Sequence, residues 1–537
     1  MASEPQIIRI ESILGGQSSN SNFLSNNQFR TGQGINPTLP KGDSSSSPFD
    51  ILSSGLIRPT GVTSVASPSN TVLWMVSDIK NANGAIFMYG ALGSVYALDA
   101  ALNIFYTNDD LNDGGNAHGN GMAYYDNYIY YSRDTTVARY GPLTSGTLNG
   151  SFTDDYWVST LGLPALQNNY PTEAYDASYP LYPISASPYN DYSYPSHVLH
   201  RHSDGRLYIA DIVDNKGTIH YIQTTKNTVE GDTNAGSTYN KVQVGYGLYP
   251  SAMESYGSQL AIAFFESRNA EVKGANAKVA FWDTSSQTVN QISWAEFPDA
   301  FISAIKNVNG VLYFFSTNIY KNGYRITRYV GGNTFQDVYV SPDGICPPSG
   351  AVITDGNNLY YGGASQIPVP AANVYMYDTQ NDAVFPIIAP AADVATDPQV
   401  TSMIFATGPG TRQGIVSATS TPGIFKESVD YGTVDQYFWS KTYNLGGKFK
   451  IKKITIPLAQ TISSGMEFKV SIYTDDGAGT KHSLVTVNNT TYPGANFVEL
   501  RPENATGKYN FWLEFLFTGT ILCTVALPIT IEYEPLA

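Results

Sequence analysis

Three histidines stand close together in the segment HVLHRH, at positions 197, 200 and 202. If the segment is a strand, alternation puts His200 and His202 on one face, as two ligands of one metal ion require, and His197 on the other. The sequence supplies no carboxylate that must be a third ligand. We therefore predict exposed strand residues before an Asp204–Gly205 turn, with no metal and no cofactor.

Two acidic runs are candidate ion sites. The run NDDLNDGGN contains Asp109, Asp110 and Asp113, but it lacks the alternating acids and the closing glutamate of an EF-hand loop. It is predicted to be a solvated loop. The run TDDGAG, with Asp475 and Asp476, is predicted to be a hairpin turn.

Nucleophilic catalysis leaves no signature in this chain. There is no G-x-S-x-G elbow, and neither Cys346 nor Cys523 has a histidine nearby in sequence. Both cysteines are expected to be small core residues. A glycosidase would need two acids in one cleft, and a sequence alone leaves their pairing in space open. We predict that the protein is not an enzyme, with a glycan-active enzyme as the third alternative.

The strongest candidate for a binding surface is the stretch YPTEAYDASYPLYPISASPYNDYSYP, which we call the Tyr/Pro segment (residues 170–195). It holds seven tyrosines and five prolines. Tyrosine offers an apolar face and a hydroxyl at low entropic cost, and proline restricts the unfolded chain. Contact with a ligand and packing, either on the rest of its own chain or on a neighbouring subunit, are both open. The candidate binding residues are Tyr170, Tyr175, Tyr179, Tyr182, Tyr189, Tyr192 and Tyr194.

The β-strands on either side of this segment are predicted from a repeat in the sequence. An apolar strand, a polar turn and an aliphatic–aromatic pair that opens a second strand recur, usually with a third strand after them. The aliphatic anchors are Leu73, Ile129, Leu207, Leu260, Leu312, Leu359 and Ile415, at intervals of 56, 78, 53, 52, 47 and 56 residues. Seven copies predict a seven-bladed β-propeller over residues 59–430. The long interval identifies the Tyr/Pro segment as an insertion between blades, near residues 165–198. Two unrelated β-sandwiches are the alternative.

The two ends differ from this repeat. Residues 431–537 contain longer alternating strands such as MEFKVSIYT and YNFWLEFLF, which predict an antiparallel β-sandwich of jelly-roll type. Residues 1–58 are polar and could not bury a core of their own. They are predicted to be an extended arm that is ordered by a neighbouring subunit. The fold class is thus all-β.

Composition and charge argue against several classes of function. The net charge is −15 with 30 basic and 45 acidic residues, and the basic residues are scattered, which argues against nucleic-acid binding. Only two cysteines are present, which excludes a disulfide scaffold. There is no signal-peptide pattern and no apolar run of membrane length. Synthesis in a cytoplasm, without membrane insertion, is expected.

Both ends resemble known proteins. The start IIRIESILGGQSSNSNFLSNNQFRTGQGINP and the end segments WSKTYNLGGKFKIKKITIPLAQ, RPENATGKYNFWLEFLFTG and ALPITIEYE resemble structural proteins of tailed bacteriophages, in which a polar arm precedes a propeller and a terminal sandwich. The resemblance covers both ends and, more loosely, the predicted propeller, and so most of the chain. It implies a tail-associated virion component, present in several copies, that contacts its own copies and neighbouring virion proteins.

From this resemblance we expect a multimeric virion platform that contributes to attachment to a host-surface glycan or protein. The alternatives are a free, lectin-like module that binds carbohydrate or protein, and a capsid decoration protein. The position in the virion, the copy number and the receptor are left open by the sequence.

Overall fold

In the computed structural model the protein consists mainly of β-strands. No helix among the described residues is long and apolar enough to cross a membrane. The structure describes residues 5–13, 17, 28–29, 31–33, 57, 61–68, 72–77, 86–90, 95–98, 104–108, 121–133, 135–143, 150–167, 197–223, 238–266, 276–289, 293–299, 301–317, 323–341, 346–365, 371–391, 399–407, 413–419, 423–428, 436–475, 480–521 and 523–536.

Seven four-stranded antiparallel sheets follow one another through the described part of residues 61–428. In chain order the first four are β4 (Val72–Ser77), β5 (Ile86–Gly90), β6 (Val95–Leu98) and β7 (Ile104–Asn108); β8 (Met122–Tyr125), β9 (Tyr128–Arg133), β10 (Thr136–Gly141) and β11 (Ser151–Thr153); β12 (Leu199–Arg201), β13 (Leu207–Val213), β14 (Lys216–Ile222) and β15 (Thr238–Tyr246); and β16 (Leu248–Tyr256), β17 (Gln259–Glu266), β18 (Lys278–Trp282) and β19 (Trp294–Glu296).

The last three sheets complete the series, and the seventh takes its outer strand from the N-terminal side. They are β20 (Phe301–Val308), β21 (Val311–Thr317), β22 (Tyr324–Gly331) and β23 (Thr334–Ser341); β24 (Val352–Thr354), β25 (Asn358–Ser365), β26 (Ala371–Asp378) and β27 (Ala383–Ala391); and β28 (Val400–Thr407), β29 (Gln413–Thr419), β30 (Gly423–Ser428) and β3 (Gly61–Ala66).

The repeat predicted from sequence matches these sheets, with one error. Six anchors, from Ile129 to Ile415, lie at or near the start of the second strand of their sheets, as predicted. Leu73 instead lies on β4, the first strand of its sheet, and Ile86 occupies the anchor position on β5. The pair Leu73–Trp74 was misassigned because a buried first strand carries the same aliphatic–aromatic signal as a second strand.

The first strands of the seven sheets contact one another in a closed cycle. Each of β4, β8, β12, β16, β20 and β24 contacts the next, and β28 contacts β4. At this closure the hydroxyls of Thr401 and Ser402 donate to the carbonyl oxygen of Val72 at 2.7 and 3.0 Å. Buried side chains of the first and seventh sheets, such as Met88 and Val416, share one core cluster. The first and last sheets are therefore joined by packing as well as by hydrogen bonds.

Two further antiparallel sheets contain the C-terminal strands. One joins β1 (Gln6–Ile10), β39 (Ile529–Pro535), β33 (Phe449–Pro457) and β36 (Phe497–Leu500), with β37 (Thr506–Gly507) also on β33. The other joins β2 (Thr31–Gln33), β31 (Gln436–Trp439), β38 (Asn510–Phe517), β34 (Glu467–Thr474) and β35 (Thr480–Asn488), with β32 (Tyr443–Asn444) also on β38.

Alternation along these strands places the apolar residues on one buried face, as the sequence predicts, while the opposite face is only partly exposed. Phe468, Val470 and Ile472 are buried, and so are the alternate residues Phe511, Leu513, Phe515 and Phe517. The ring of Phe449 on one sheet lies 5.8 Å from the ring of Phe511 on the other, centroid to centroid. The two sheets therefore share apolar contacts.

Parts of the predicted N-terminal arm belong to these sheets. β1 pairs with β39 over five residues, and β2 pairs with β31. Phe29 is buried between Phe385 and Phe438, and Ile57 forms a β-bridge with Val525. These described segments pack on their own chain, and whether the arm also contacts another subunit stays a prediction.

Residue contacts divide the chain into two compact units. One comprises Val65–Ala364 and Gln399–Ile424, and the other Met1–Ser64, Ser365–Pro398 and Phe425–Ala537. The first contains the closed cycle of first strands, and the second contains the two C-terminal sheets.

Candidate functional site

The seven candidate tyrosines all lie in residues 168–196, outside the described residues. Asp109, Asp110, Asp113 and Asp476 also lie outside the described residues. The residues that flank the Tyr/Pro segment are described, however: Gln167 precedes it and His197 follows it. Their contacts show how the two ends are held.

Both flanks meet one carboxylate, that of Asp211 on β13. The backbone N–H of Gln167 donates to Oδ2 of Asp211 at 3.0 Å, and Nδ1 of His197 lies 3.5 Å from Oδ1. The side-chain oxygen of Gln167 also accepts the backbone N–H of Asp214 at 3.3 Å. Asp211 therefore joins the entrance and the exit of the segment to one strand of the third sheet.

A second histidine completes this group. Nε2 of His220, on β14, lies 3.2 Å from Oδ2 of Asp211. The His220 ring stacks on Tyr239 with centroids 4.6 Å apart, and Trp157 packs on it at 5.7 Å. Trp157 belongs to a short π-helix, Tyr156–Thr160, whose buried side chains pack with Leu166 just before the segment. We call Asp211, His197, His220 and Gln167 the stem cluster.

The charge of the stem cluster follows from its burial. Burial alone would raise the pKa of Asp211, but its contacts with His220 and His197 and the N–H of Gln167 hold that pKa well below the usual range. Burial lowers the pKa of His220, although the carboxylate partly opposes this. Asp211 is thus ionised and His220 is held neutral at neutral pH.

A His–Asp–His arrangement could serve in proton transfer, but these three side chains are closed to solvent. The side chains of His197, Asp211 and His220 are all 0% exposed. His197 also adopts a φ of 55°, a region that residues other than glycine rarely occupy and that surrounding contacts must maintain. The geometry fits a structural role, in which the cluster fixes the ends of the segment.

The predicted pairing of His200 and His202 is confirmed, but their predicted exposure is wrong. Nε2 of His200 and Nδ1 of His202 each lie 2.9 Å from Oγ of Ser255, on the neighbouring sheet. His202 is only 2% exposed and His197 is fully buried, because the first strand of each sheet packs between its neighbours. Nε2 of His200 also lies 4.0 Å from Oε1 of Glu254.

The remaining candidates are structural. Cys346 and Cys523 are buried, as predicted, and burial raises the pKa of each thiol to about 12. Asp475 lies between β34 and β35 and accepts the backbone N–H groups of Lys508 and Tyr509, which ties this turn to a neighbouring loop. Within the described ranges, no three His, Cys, Asp or Glu side chains meet as metal ligands would.

Sequence reasoning missed Asp211 and His220. The available signal was an acid in the otherwise apolar strand LYIADIV, where an unpaired charge would be costly to bury. A charged residue in such a strand requires a partner, and His220 on the adjacent strand was a candidate within reach.

Comparisons with known proteins give a likeness of fold only. No family model matches the chain, and no curated protein matches it. Similar solved structures include the β-propeller domain of Myceliophteria thermophila Cps50 (Swd1), at 7% identity over 68% of this chain and 98% of that one, with a TM-score of 0.39. The Neurospora crassa Pan2 WD40 domain has 9% identity over 68% and 94%, with a TM-score of 0.39.

A third similar structure is YCF48 bound to D1 peptide, at 10% identity over 69% of this chain and 97% of that one, with a TM-score of 0.40. These scores are too low to transfer a ligand, a partner or an activity to this chain.

Proposed function

We propose that this chain is a seven-bladed β-propeller followed by an antiparallel β-sandwich of jelly-roll type, and that it is a non-enzymatic structural protein of a tailed-bacteriophage virion. The closed cycle of first strands and the contact between Thr401 and Val72 support the propeller. The apolar contact between Phe449 and Phe511 supports the sandwich. The resemblance of both chain ends to tailed-phage structural proteins supports the virion role.

One observation carries the binding part of this proposal: Asp211 holds both ends of the Tyr/Pro segment. A buried, ionised carboxylate that ties two flanks across an insertion reduces the number of conformations open to that insertion. Ordering before binding lowers the entropic cost of contact with a partner. The propeller is therefore a rigid support, and the segment is the surface that it presents.

The partners in this proposal are further copies of the chain, neighbouring proteins of the tail, and a glycan or protein of the host surface. Several copies on one particle would allow a weak contact to gain by avidity. Nucleic acid is not a partner, and the protein resides in the virion without inserting into a membrane. In the competing proposal, a free carbohydrate- or protein-binding module, the same segment acts outside a virion.

Immunogold electron microscopy distinguishes these proposals. An antibody raised against the purified chain is applied to tailed particles from the sample that encodes it, with pre-immune serum as the control. Gold on the tails supports the proposed function, and gold on the heads would indicate a capsid decoration protein. Unlabelled particles, with the antigen found only in the soluble fraction, would favour the free binding module.

The role of the segment is tested separately on the particles' host. The full-length chain is compared with a variant in which a Gly/Ser linker of equal length replaces residues 170–195. The matched control carries the same replacement over residues 224–237. Loss of cell binding in the first variant alone supports presentation by the Tyr/Pro segment, and equal binding by all three proteins would contradict it.

A further inference from the structure

Arg139, on β10, lies between two tyrosine rings. Its guanidinium carbon is 3.9 Å from the centroid of the Tyr128 ring and 3.7 Å from that of the Tyr156 ring. Two rings this close to one carbon atom cannot share a face of the flat guanidinium group, so they cover its opposite faces. Such contacts stabilise the cation but leave the N–H groups around its edge available for hydrogen bonds. We call these three residues the arginine stack.

The surrounding chain holds both rings in place. Tyr128 begins β9, and its ring passes so close to Gly141 that a Cβ atom there would lie 2.6 Å from Cδ1 of the ring. Tyr156 begins the π-helix and is only 6% exposed. Asp155, directly before it, accepts a hydrogen bond from the hydroxyl of Thr136, on β10, at 2.5 Å. The plane of the guanidinium group is therefore fixed by the fold.

Most hydrogen-bond donors of Arg139 are unused. A guanidinium group has five N–H donors. Among the described residues only Tyr130 receives one of them, from Nη1 to its hydroxyl at 3.4 Å, and no carboxylate forms an ion pair with Arg139. Nε is buried without a partner, whereas Nη2, which also has none among the described residues, is not closed to solvent. The terminal edge, from Nη1 to Nη2, is thus the part that a ligand can reach.

Arg206 shows how the same fold satisfies the donors of another stacked arginine. Its guanidinium carbon lies 4.7 Å from the centroid of the Tyr221 ring. Its Nη1 also lies 3.4 Å from Oδ2 of Asp204, and its Nε donates to Oε1 of Gln223 at 3.2 Å. Arg139 has the aromatic contacts, but within the described residues it has neither a carboxylate nor an amide acceptor. The group that would complete the arginine stack is an oxyanion.

The charges around the stack favour a ligand group with one negative charge. Burial raises the pKa of Tyr130 well above its usual range, so its hydroxyl is neutral and gives Arg139 no counter-charge. Although burial alone would raise the pKa of Asp155, hydrogen bonds from Ser159 and Thr136 lower it, so this carboxylate is ionised. A phosphate group carries about −1.5 to −2 charge at pH 7, which exceeds the single charge of Arg139. A carboxylate matches both the charge and the planar geometry of the guanidinium edge.

We propose that the arginine stack binds the carboxylate group of a small ligand. Two N–H groups on the terminal edge of Arg139 donate to the two carboxylate oxygens, in a planar, charge-assisted pair. This site is separate from the Tyr/Pro segment and does not depend on the virion role. Carboxylates occur on sugar acids and at the ends of peptides, so the test requires a probe of each kind.

Ligand-detected NMR with the full-length chain measures the affinity. Methyl glucuronide and N-acetylglycine are the carboxylate probes, and methyl glucoside and N-acetylglycinamide are their uncharged counterparts. At least one carboxylate should bind saturably at millimolar concentration, and its counterpart and inorganic phosphate should bind at least about tenfold more weakly. Preference for the glucuronide would indicate a sugar acid, and preference for N-acetylglycine a peptide end. Absence of saturable binding by both carboxylates, or equal binding of an uncharged counterpart or of phosphate, would overturn the proposal.

Two substitutions separate the charge of Arg139 from its geometry. Arg139→Gln removes the charge, and Arg139→Lys keeps the charge but removes the planar edge. Each should raise the Kd of the preferred carboxylate at least about tenfold. Arg201→Gln and Arg201→Lys are the matched controls, because Arg201 is an exposed arginine on β12, and they should leave the Kd unchanged. An unchanged Kd in both Arg139 variants would contradict the proposal.

Chemical protection of the unmodified protein gives a result even if an Arg139 variant fails to fold. Phenylglyoxal reacts with the terminal nitrogens of arginine, and mass spectrometry of the digested chain locates the modified residues. The preferred carboxylate should slow the modification of Arg139 and leave that of Arg201 unchanged. No modification of Arg139 in the absence of ligand would show that its edge is inaccessible. That result, or equal rates with and without the carboxylate, would overturn the proposal.

Discussion

Nδ1 of His197 lies 3.5 Å from Oδ1 of Asp211, and both side chains are inaccessible to solvent. The same carboxylate accepts the backbone N–H of Gln167, on the other side of the Tyr/Pro segment. One buried charge thus connects two points between which the chain makes an excursion of about thirty residues. Since closing a loop costs entropy, a contact that holds both of its ends offsets part of that cost.

Asp211→Asn should weaken both ends of the segment at once. Removal of one partner from a buried charged group is strongly destabilising, and we expect a loss of about 3 kcal/mol in the free energy of unfolding of this unit. Hydrogen exchange should become faster at Gln167 and at residues 197–201. Glu266→Gln, at a surface ion pair, is the control and should change the stability by less than about 1 kcal/mol. Equal effects of the two variants would show that Asp211 does not hold the segment.

Acid should destabilise the unit that contains His200 and His220 before carboxylates begin to titrate. Both histidines have folded-state pKa values below the ordinary histidine value, and the pKa of His200 is lowered to about 3. The unfolded chain therefore takes up protons that the folded chain excludes. Stability is therefore full above about pH 6.5 and falls as the pH decreases below it. The groups around His200 are Glu254, Ser255, His202 and Lys306.

The variant His200→Gln tests whether His200 contributes to this loss of stability in acid. In urea unfolding at a series of pH values from 7 to 4, the free energy of unfolding should depend less steeply on pH than in the original chain. The difference in slope should be up to about 1.4 kcal/mol per pH unit, because one proton fewer is bound on unfolding. His482→Gln, in a C-terminal sheet, is the control. An unchanged slope in His200→Gln would indicate that His200 is not kept neutral by the fold.

The N-terminal strands should be required for the C-terminal sheets. Phe29 is 1% exposed between Phe385 and Phe438, and Phe29→Ala should lower the stability of this unit by about 3 to 5 kcal/mol. Ile7→Ala, at a position that is 57% exposed on β1, should have little effect. Limited proteolysis of residues 436–536 reports the difference. If Phe29→Ala leaves this region as resistant as the original chain, the arm does not contribute to its core.

The close approach between the second and third sheets gives a further prediction. A Cβ atom at Gly121 would lie 2.5 Å from the carbonyl oxygen of His197 and 2.9 Å from the backbone nitrogen of Leu199. Gly121→Ala should therefore displace the exit of the Tyr/Pro segment and cost about 1 to 3 kcal/mol. Gly447→Ala, where a Cβ meets nothing within 4 Å, is the control. Equal midpoints of thermal unfolding in the two variants would contradict the close contact of Gly121 with the backbone of His197 and Leu199.

Local patterns in the sequence predicted the sheets well, because a hairpin leaves its signal in neighbouring residues. The third strands TVARY, TIHYI and KVAFW were predicted and are β10, β14 and β18. Pairings across hundreds of residues left no such signal. The strand β3 joins β28–β30, and β1 joins β39, although nothing in the local composition of residues 1–66 indicates these partners.

The candidate sites were harder to predict for a related reason. His200 and His202 share a face through alternation, which is local, but their burial depends on Ser255 in another sheet. Asp211 alone could have been identified, because a charged residue in a buried strand requires a partner.

The central claim is that this chain assembles into a multimeric virion platform, and its mass in solution tests that most directly. The full-length chain must be used, since removal of residues 1–58 would delete β1 and β2 from the C-terminal sheets. Light scattering coupled to size-exclusion chromatography should give one defined multiple of 58.3 kDa over a range of concentrations. A monomer at every concentration would contradict assembly through its own copies.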